Sequence, residues 1–226
     1  MTSTVPSFAA TWLAPRLSAW RAAAPDVDLR VIGAYEPADF ARDGVDAAIR
    51  YGRGPWPGLH VERLAEEELF PVCSPAFTAE QALRMPRDLL RVTLLDREMT
   101  EGWAEWFAAQ DVAGADPPGL VRLRDASAAI EAALGGQGVA LANTSLATGD
   151  LQAGRLIRPV AGSLRSAFAY HFVCPEAALS RPPVAAFRRW VVTAMAERPG
   201  LHAPSATPAA PRRRRAKAPP SAPAPG

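Results

Sequence analysis

Val45-Asp46-Ala47-Ala48-Ile49-Arg50-Tyr51 is a nearly continuous apolar run directly after Gly44, and it reads as a strand. Moving back toward the N-terminus, residues 37–43 read as a short helix ended by Gly44, and residues 27–34 as a strand with interleaved polar residues. Before them, Phe8, Trp12, Leu13, Leu17 and Trp20 follow helical spacing, with Pro15 expected to kink or reset that helix. A short strand at residues 2–6 precedes it. The order is β-α-β-α-β, which implies a parallel sheet.

Moving forward, Pro55, Pro57 and Gly58 mark a loop. Two extended runs follow, residues 60–64 and 68–73. A second alternating set then reads as strand at 92–96, helix at 100–110, strand at 120–123, helix at 127–134 and strand at 139–142. The second half therefore repeats the first. A late strand at 167–174 and a helix around 184–195, apolar at Phe187, Trp190, Val191, Ala194 and Met195, close the fold.

The chain has 226 residues, of which 49% are hydrophobic, enough for a substantial core. Arg212, Arg213, Arg214, Arg215 and Lys217 stand among the Pro, Ala and Ser of residues 204–226 without an acid. Taking these five cations away from the formal net charge of +2 leaves −3 for residues 1–203, so the body offers no electrostatic footprint for a nucleic acid. Residues 204–226 are expected to be a disordered basic tail. The only cysteines, Cys73 and Cys174, lie in apolar strand-like runs, and nothing at the N-terminus reads as an export signal; a reducing cytoplasm fits. No apolar run approaches the roughly 18–20 residues needed to cross a bilayer.

An ordered set of motifs carries a resemblance: Trp12-Leu13-Ala14-Pro15-Arg16-Leu17, Asp39-Phe40, residues 45–54, Phe70-Pro71-Val72-Cys73-Ser74-Pro75, Gly136-Gln137-Gly138-Val139-Ala140-Leu141 and Leu151-Gln152-Ala153-Gly154-Arg155-Leu156-Ile157-Arg158-Pro159. Over residues 3–198 the sequence resembles the effector-binding domain of LysR-type transcriptional regulators, in the glycine-cleavage-activator-like subgroup. The resemblance implies an α/β fold of two similar lobes with mainly parallel sheets joined by two crossing strands, like a type 2 periplasmic binding protein. It places residues 1–72 and 175–203 in one lobe and 73–174 in the other, with residues 70–75 and 168–175 as the crossing segments. It also implies a small-molecule effector, a homodimer or higher assembly, and contact with DNA only through a winged helix-turn-helix that precedes this domain in the family. Here Met1 already stands inside the first strand, so the sensor is expected without its DNA reader.

Ser7 sits where the first strand becomes the first helix, and Asp125-Ala126-Ser127 repeats that arrangement in the second half. Each is an ordinary helix cap when taken alone. The resemblance makes Ser7, Phe8 and Ser127 effector contacts, and two facing helix N-termini would favour a small anion, such as a carboxylate or amino-acid-like compound. Asp39 reads as a first-turn acid or, by resemblance, a cleft acid; Tyr170 is the opposite wall on the same grounds. Arg50 and Tyr51 end the third strand, with Arg50 either a carboxylate partner or paired with Glu36 or Asp39. Trp12, Leu17, Trp20, Ile130 and Leu134 would be core on periodicity alone; the resemblance places them in a dimer interface.

Other motifs carry no chemistry. Pro55 and Pro57 prevent the helix that a dinucleotide site at Gly52-Arg53-Gly54 would need, and Gly135-Gly136-Gln137-Gly138 reads as a helix end and tight turn. His60, His171 and His202 are isolated, so no metal or cofactor is expected. Without a nucleophile–base pair an enzyme is the weakest reading, behind a stand-alone bilobal solute-binding protein.

Overall fold

A computed structural model describes residues 1–98, 101–112 and 119–197; the expected basic tail at 204–226 lies outside these residues. The strands are β1 (Thr2–Thr4), β2 (Val31–Gly33), β3 (Ala47–Gly52), β4 (His60–Val72), β5 (Leu94–Arg97), β6 (Leu120–Leu123), β7 (Val139–Asn143) and β8 (Leu164–Cys174). The α-helices are α1 (Pro6–Phe8), α2 (Leu17–Ala23), α3 (Pro75–Gln81), α4 (Trp103–Ala109), α5 (Ala126–Leu134), α6 (Thr144–Gln152) and α7 (Pro182–Ala196).

The strands form one sheet in the order β2-β1-β3-β8-β4-β7-β5-β6. β1 is parallel to β2 and β3, and β5 is parallel to β6 and β7. Between these sets β4 and β8 run antiparallel, from His60↔Cys174 to Leu69↔Leu164. β4 starts beside the end of β8 that pairs with β3, and it finishes beside β7, from Leu69↔Asn143 to Val72↔Ala140. The two long strands thus pass through both lobes. This corrects the expected crossing at 70–75, because Leu69–Val72 already belong to the second lobe's ladder. The bend lies earlier, where register shifts between Arg63 and Ala65 and between Glu66 and Glu68 break the pairing as bulges do. The two expected runs at 60–64 and 68–73 are one strand.

Pro15 resets the first helix as its missing N–H requires. After α1 the chain widens into a π turn over Ala9–Leu13, tightens to 3-10 over Ala14–Arg16, and resumes as α2. The Thr11 hydroxyl donates to the Ser7 carbonyl at 2.8 Å and Arg16 Nη1 to the Trp12 carbonyl at 2.9 Å, which occupies two carbonyls beside the break. The helix expected at 37–43 is a turn. Asp39 Oδ1 accepts from Ala41 N, and Asp43 Oδ2 accepts from Asp39 N; such local side-chain bonds compete with helix. β2 is shorter than the expected strand, an exposed edge whose one sheet neighbour among the described residues is β1.

The apolar positions of α7 bury Val184, Phe187, Val191 and Met195 on one stripe, the spacing of a core-facing helix. Phe187 and Trp190 receive the edges of Trp20, with ring centroids 5.6 and 5.4 Å away. Trp12 stacks on Phe8 at 4.8 Å and meets Trp190 edge-on at 5.8 Å. Ile130 on α5 belongs to the same core cluster, in which α1 packs against α5 of the same chain. Trp12, Trp20 and Ile130 are therefore interior residues of one chain, which corrects their assignment to a dimer interface. Leu17 is exposed and Leu134 is half-buried. At the expected tight turn Gly136 takes φ +70°, and a Cβ on Gly138 would stand 2.5 Å from the Thr93 carbonyl oxygen. Only glycine lets β7 approach β5 there.

Candidate functional site

Because β3 is antiparallel to β8 and β8 to β4, the parallel strands of the first lobe run with β4, toward the second lobe. β7 is antiparallel to β4, so β5, β6 and β7 run back toward the first lobe. The carboxyl ends of both strand sets consequently face each other across the crossing strands, the position where open α/β sheets bind ligands. Ser7 follows β1, Tyr35 follows β2, and Tyr51 nearly ends β3; opposite them Arg97 ends β5, Asp125 and Ser127 follow β6, and Asn143 ends β7.

Phe8, Tyr51 and Tyr170 come together as an aromatic wall. Tyr170 lies 4.7 Å from Phe8 and 4.9 Å from Tyr51, and Tyr51 stacks on Phe168 at 5.7 Å. Tyr170 is buried on the crossing strand and its hydroxyl accepts from Asn143 Nδ2 at 3.5 Å; burial first, and the Glu67 carboxylate second, suppress its ionisation. Arg50 does not join this wall. It is paired with His171 while Tyr51 is paired with Tyr170, and successive strand residues take opposite faces. Arg50 Nη1 donates to the Glu36 carbonyl at 2.8 Å, so it meets the expected neighbour through backbone and not through a carboxylate. Asp39 is exposed in its turn, 3.6 Å from Arg42, with no bond to the other expected site residues.

The pair of open helix N-termini is also corrected. At α1 the cap is Val5, with Pro6 as the first helical residue and no side-chain cap bond, so Ser7 is buried inside the first turn. At α5 the position is filled by the protein's own carboxylate: Asp125 Oδ1 accepts from both Ser127 N and Ser127 Oγ. Asp125 Oδ2 accepts from the Tyr35 hydroxyl, a direct tie between the first lobe and the second. Burial raises the Asp125 carboxyl, but the bonds from Ser127 and Tyr35 outweigh it and hold it below its ordinary value.

Further polar residues that sequence reasoning did not single out complete the site. Glu67, 1% exposed, accepts from Ser145 N and Ser145 Oγ and so caps α6 from the crossing strand. Arg97, 5% exposed, donates from Nη1 to Asn143 Oδ1 at 2.8 Å, and its guanidinium carbon stands 5.9 Å from the Tyr51 ring centre. Ser166 Oγ donates to Glu101 and lies 3.2 Å from the Tyr51 hydroxyl. Among the described residues no cluster of His, Cys, Asp or Glu is arranged to hold a metal, and no helix is long and apolar enough to cross a membrane. Cys73 and Cys174 are free and buried.

Two α/β lobes whose strand ends face one another over a pair of crossing strands, with polar side chains gathered there, define a bilobal ligand-sensing domain. The LysR substrate binding domain matches residues 3–196, and the chain belongs to that family. Over 191 residues it is 39% identical to the glycine cleavage system transcriptional activator of Escherichia coli (strain K12), a match covering 84% of this chain and 63% of that protein. The effector domain of the transcriptional regulator AmpR of Pseudomonas aeruginosa superposes with a TM-score of 0.73 at 32% identity, covering 86% of this chain and 94% of that one. The AmpR effector binding domain from Citrobacter freundii gives 0.74 at 27% identity, covering 87% and 98%. The chain thus spans nearly all of the solved effector domains and under two thirds of the curated relative. It is an effector-binding domain of the LysR type with a type 2 periplasmic-binding-protein-like fold.

Proposed function

We propose that the chain senses a small carboxylate or amino-acid-like compound between its two lobes and, as part of a cytoplasmic LysR-type regulator, passes the resulting lobe arrangement through a dimer to DNA-binding heads. The observation that carries this reading is the facing of the two sets of strand ends, tied across by the Tyr35–Asp125 bond. A ligand that binds one lobe arrangement better than another shifts the balance between them by its difference in affinity, and linkage transmits that shift to any coupled DNA site. The effector is proposed to touch Ser7 and the Phe8–Tyr170 wall from one side and Ser127 from the other. Leu17 and Leu134 remain available to a dimer face. The relatives named as transcriptional activators support the regulatory role; no covalent chemistry is proposed.

A thermal scan of the chain against amino acids and small carboxylates tests this. At a ligand concentration about a hundred times its dissociation constant, binding stabilises by about 2.7 kcal/mol, which raises the melting temperature by roughly 5–10 °C for a domain of this size. Ser7→Ala and Ser127→Ala are expected to shrink that shift at least by half and to leave the unliganded melt within about 2 °C of the parent. A panel that leaves the parent's melting temperature unmoved would contradict the reading.

A further inference from the structure

We infer that Arg97 is the residue that anchors the carboxylate of the effector, an inference that rests on the ligand-sensing role proposed for the interlobe cleft. Arg97 ends β5, so its side chain stands among the second lobe's strand ends that face the first lobe. Its guanidinium is only partly used: Nη1 donates to Asn143 Oδ1, and its charge acts on the neighbouring Tyr51 hydroxyl. Nε and Nη2 are both buried and have no hydrogen-bond partner among the described residues. Together those two atoms form the side edge of a guanidinium, whose parallel N–H groups match the two oxygens of a carboxylate.

Two other arginines have a buried nitrogen without a hydrogen-bond partner among the described residues, but one each and not a two-atom edge: Nη2 of Arg50 and Nε of Arg158. Each gives another nitrogen to a backbone carbonyl. Nearby protein carboxylates do not fill the Arg97 edge either. Glu67 accepts from Ser145 N and Oγ, and Asp96 precedes Arg97 in β5, so strand alternation sends it to the other face of the sheet. A buried cation with an open two-donor edge is costly unless an anion meets it. Around it stand the Tyr51 ring, at 5.9 Å, and the Asn143–Tyr170 pair; the charge of Glu67 reaches the same two tyrosines, but its oxygens accept from Ser145.

Calorimetric titration of the full chain with acetate, glycine, alanine and glutamate, each set against its neutral amide, tests the assignment, with Arg97→Gln and Arg97→Lys alongside the parent. The expected result is that a carboxylate binds the parent at least about 30-fold more tightly than its amide and that Arg97→Gln removes this discrimination. Arg97→Lys, which keeps the charge and loses the fork, falls between. A carboxylate that binds Arg97→Gln within threefold of the parent would overturn the role of Arg97 and leave the sensing role standing; so would a neutral compound that binds in preference to every carboxylate. Should nothing bind the parent, the sensing role itself fails, and the unliganded melts still decide about Arg97. A cation left open for a ligand predicts that Arg97→Gln melts at or above the parent's temperature, whereas a fall of more than about 5 °C would make Arg97 a structural residue.

Discussion

Trp20→Ala is expected to lower the free energy of unfolding by about 3–5 kcal/mol, the range for deleting a large buried aromatic. Trp20 is 2% exposed and meets Phe187 and Trp190 edge-on, so its removal opens a cavity where α2 packs on α7. The energy is carried by the single chain and is therefore independent of protein concentration. Urea unfolding at two concentrations tenfold apart measures this: the midpoint of the variant drops equally at both. A drop under 1 kcal/mol, or one that appears only on dilution, would mean that Trp20 stabilises an assembly instead of the core.

The second large effect is expected at Glu67. Glu67→Ala removes both acceptors of Ser145 N and Ser145 Oγ, leaving the first turn of α6 uncapped in the interior and taking a negative charge from the neighbourhood of Arg97. Loss of a buried hydrogen-bonded carboxylate of this kind costs about 2–4 kcal/mol. Glu67→Gln keeps an acceptor for Ser145 N and can meet the hydroxyl with its amide, so its cost is expected to stay below about 1 kcal/mol. Urea unfolding of the two variants separates these outcomes, and equal destabilisation by both would show that the charge of Glu67, not its two acceptors, is what matters.

Where one short stretch decides an element, the fold was legible. Residues 120–123 were read as a strand and form β6, because a short apolar run needs only its own residues to declare itself. α7 was legible from the recurrence of Phe187, Trp190, Val191, Ala194 and Met195. α6 was not: no element was expected over residues 144–152, and its first turn is completed by Glu67, 78 residues away. Periodicity also could not distinguish Trp12 and Trp20 as core from the same residues as interface, since both environments demand an apolar stripe.

The candidate site was legible where it is aromatic. Tyr51 was expected there from its place at the end of the third strand, and Phe8 and Tyr170 from the family resemblance; the three rings meet at the crossing strands. Its polar part depends on pairings across 46 to 90 residues: Arg97 with Asn143, Glu67 with Ser145, Tyr35 with Asp125. No local pattern announces such pairs. Glu67 is hidden within Glu66-Glu67-Glu68, where a bulge turns one acid inward, and Asp125, read as part of a cap, also reaches the other lobe.

Hydrogen exchange along the full chain, with and without the compound that most raises its melting temperature, tests the central claim most directly. Binding between the lobes predicts slower exchange on both sides of the cleft together, at residues 7–9 and 35–36 in the first lobe and at 97, 125–129 and 143–146 in the second. Slowing confined to one lobe, or to the exposed turn at residues 39–43, with the facing strand ends unchanged, would contradict it.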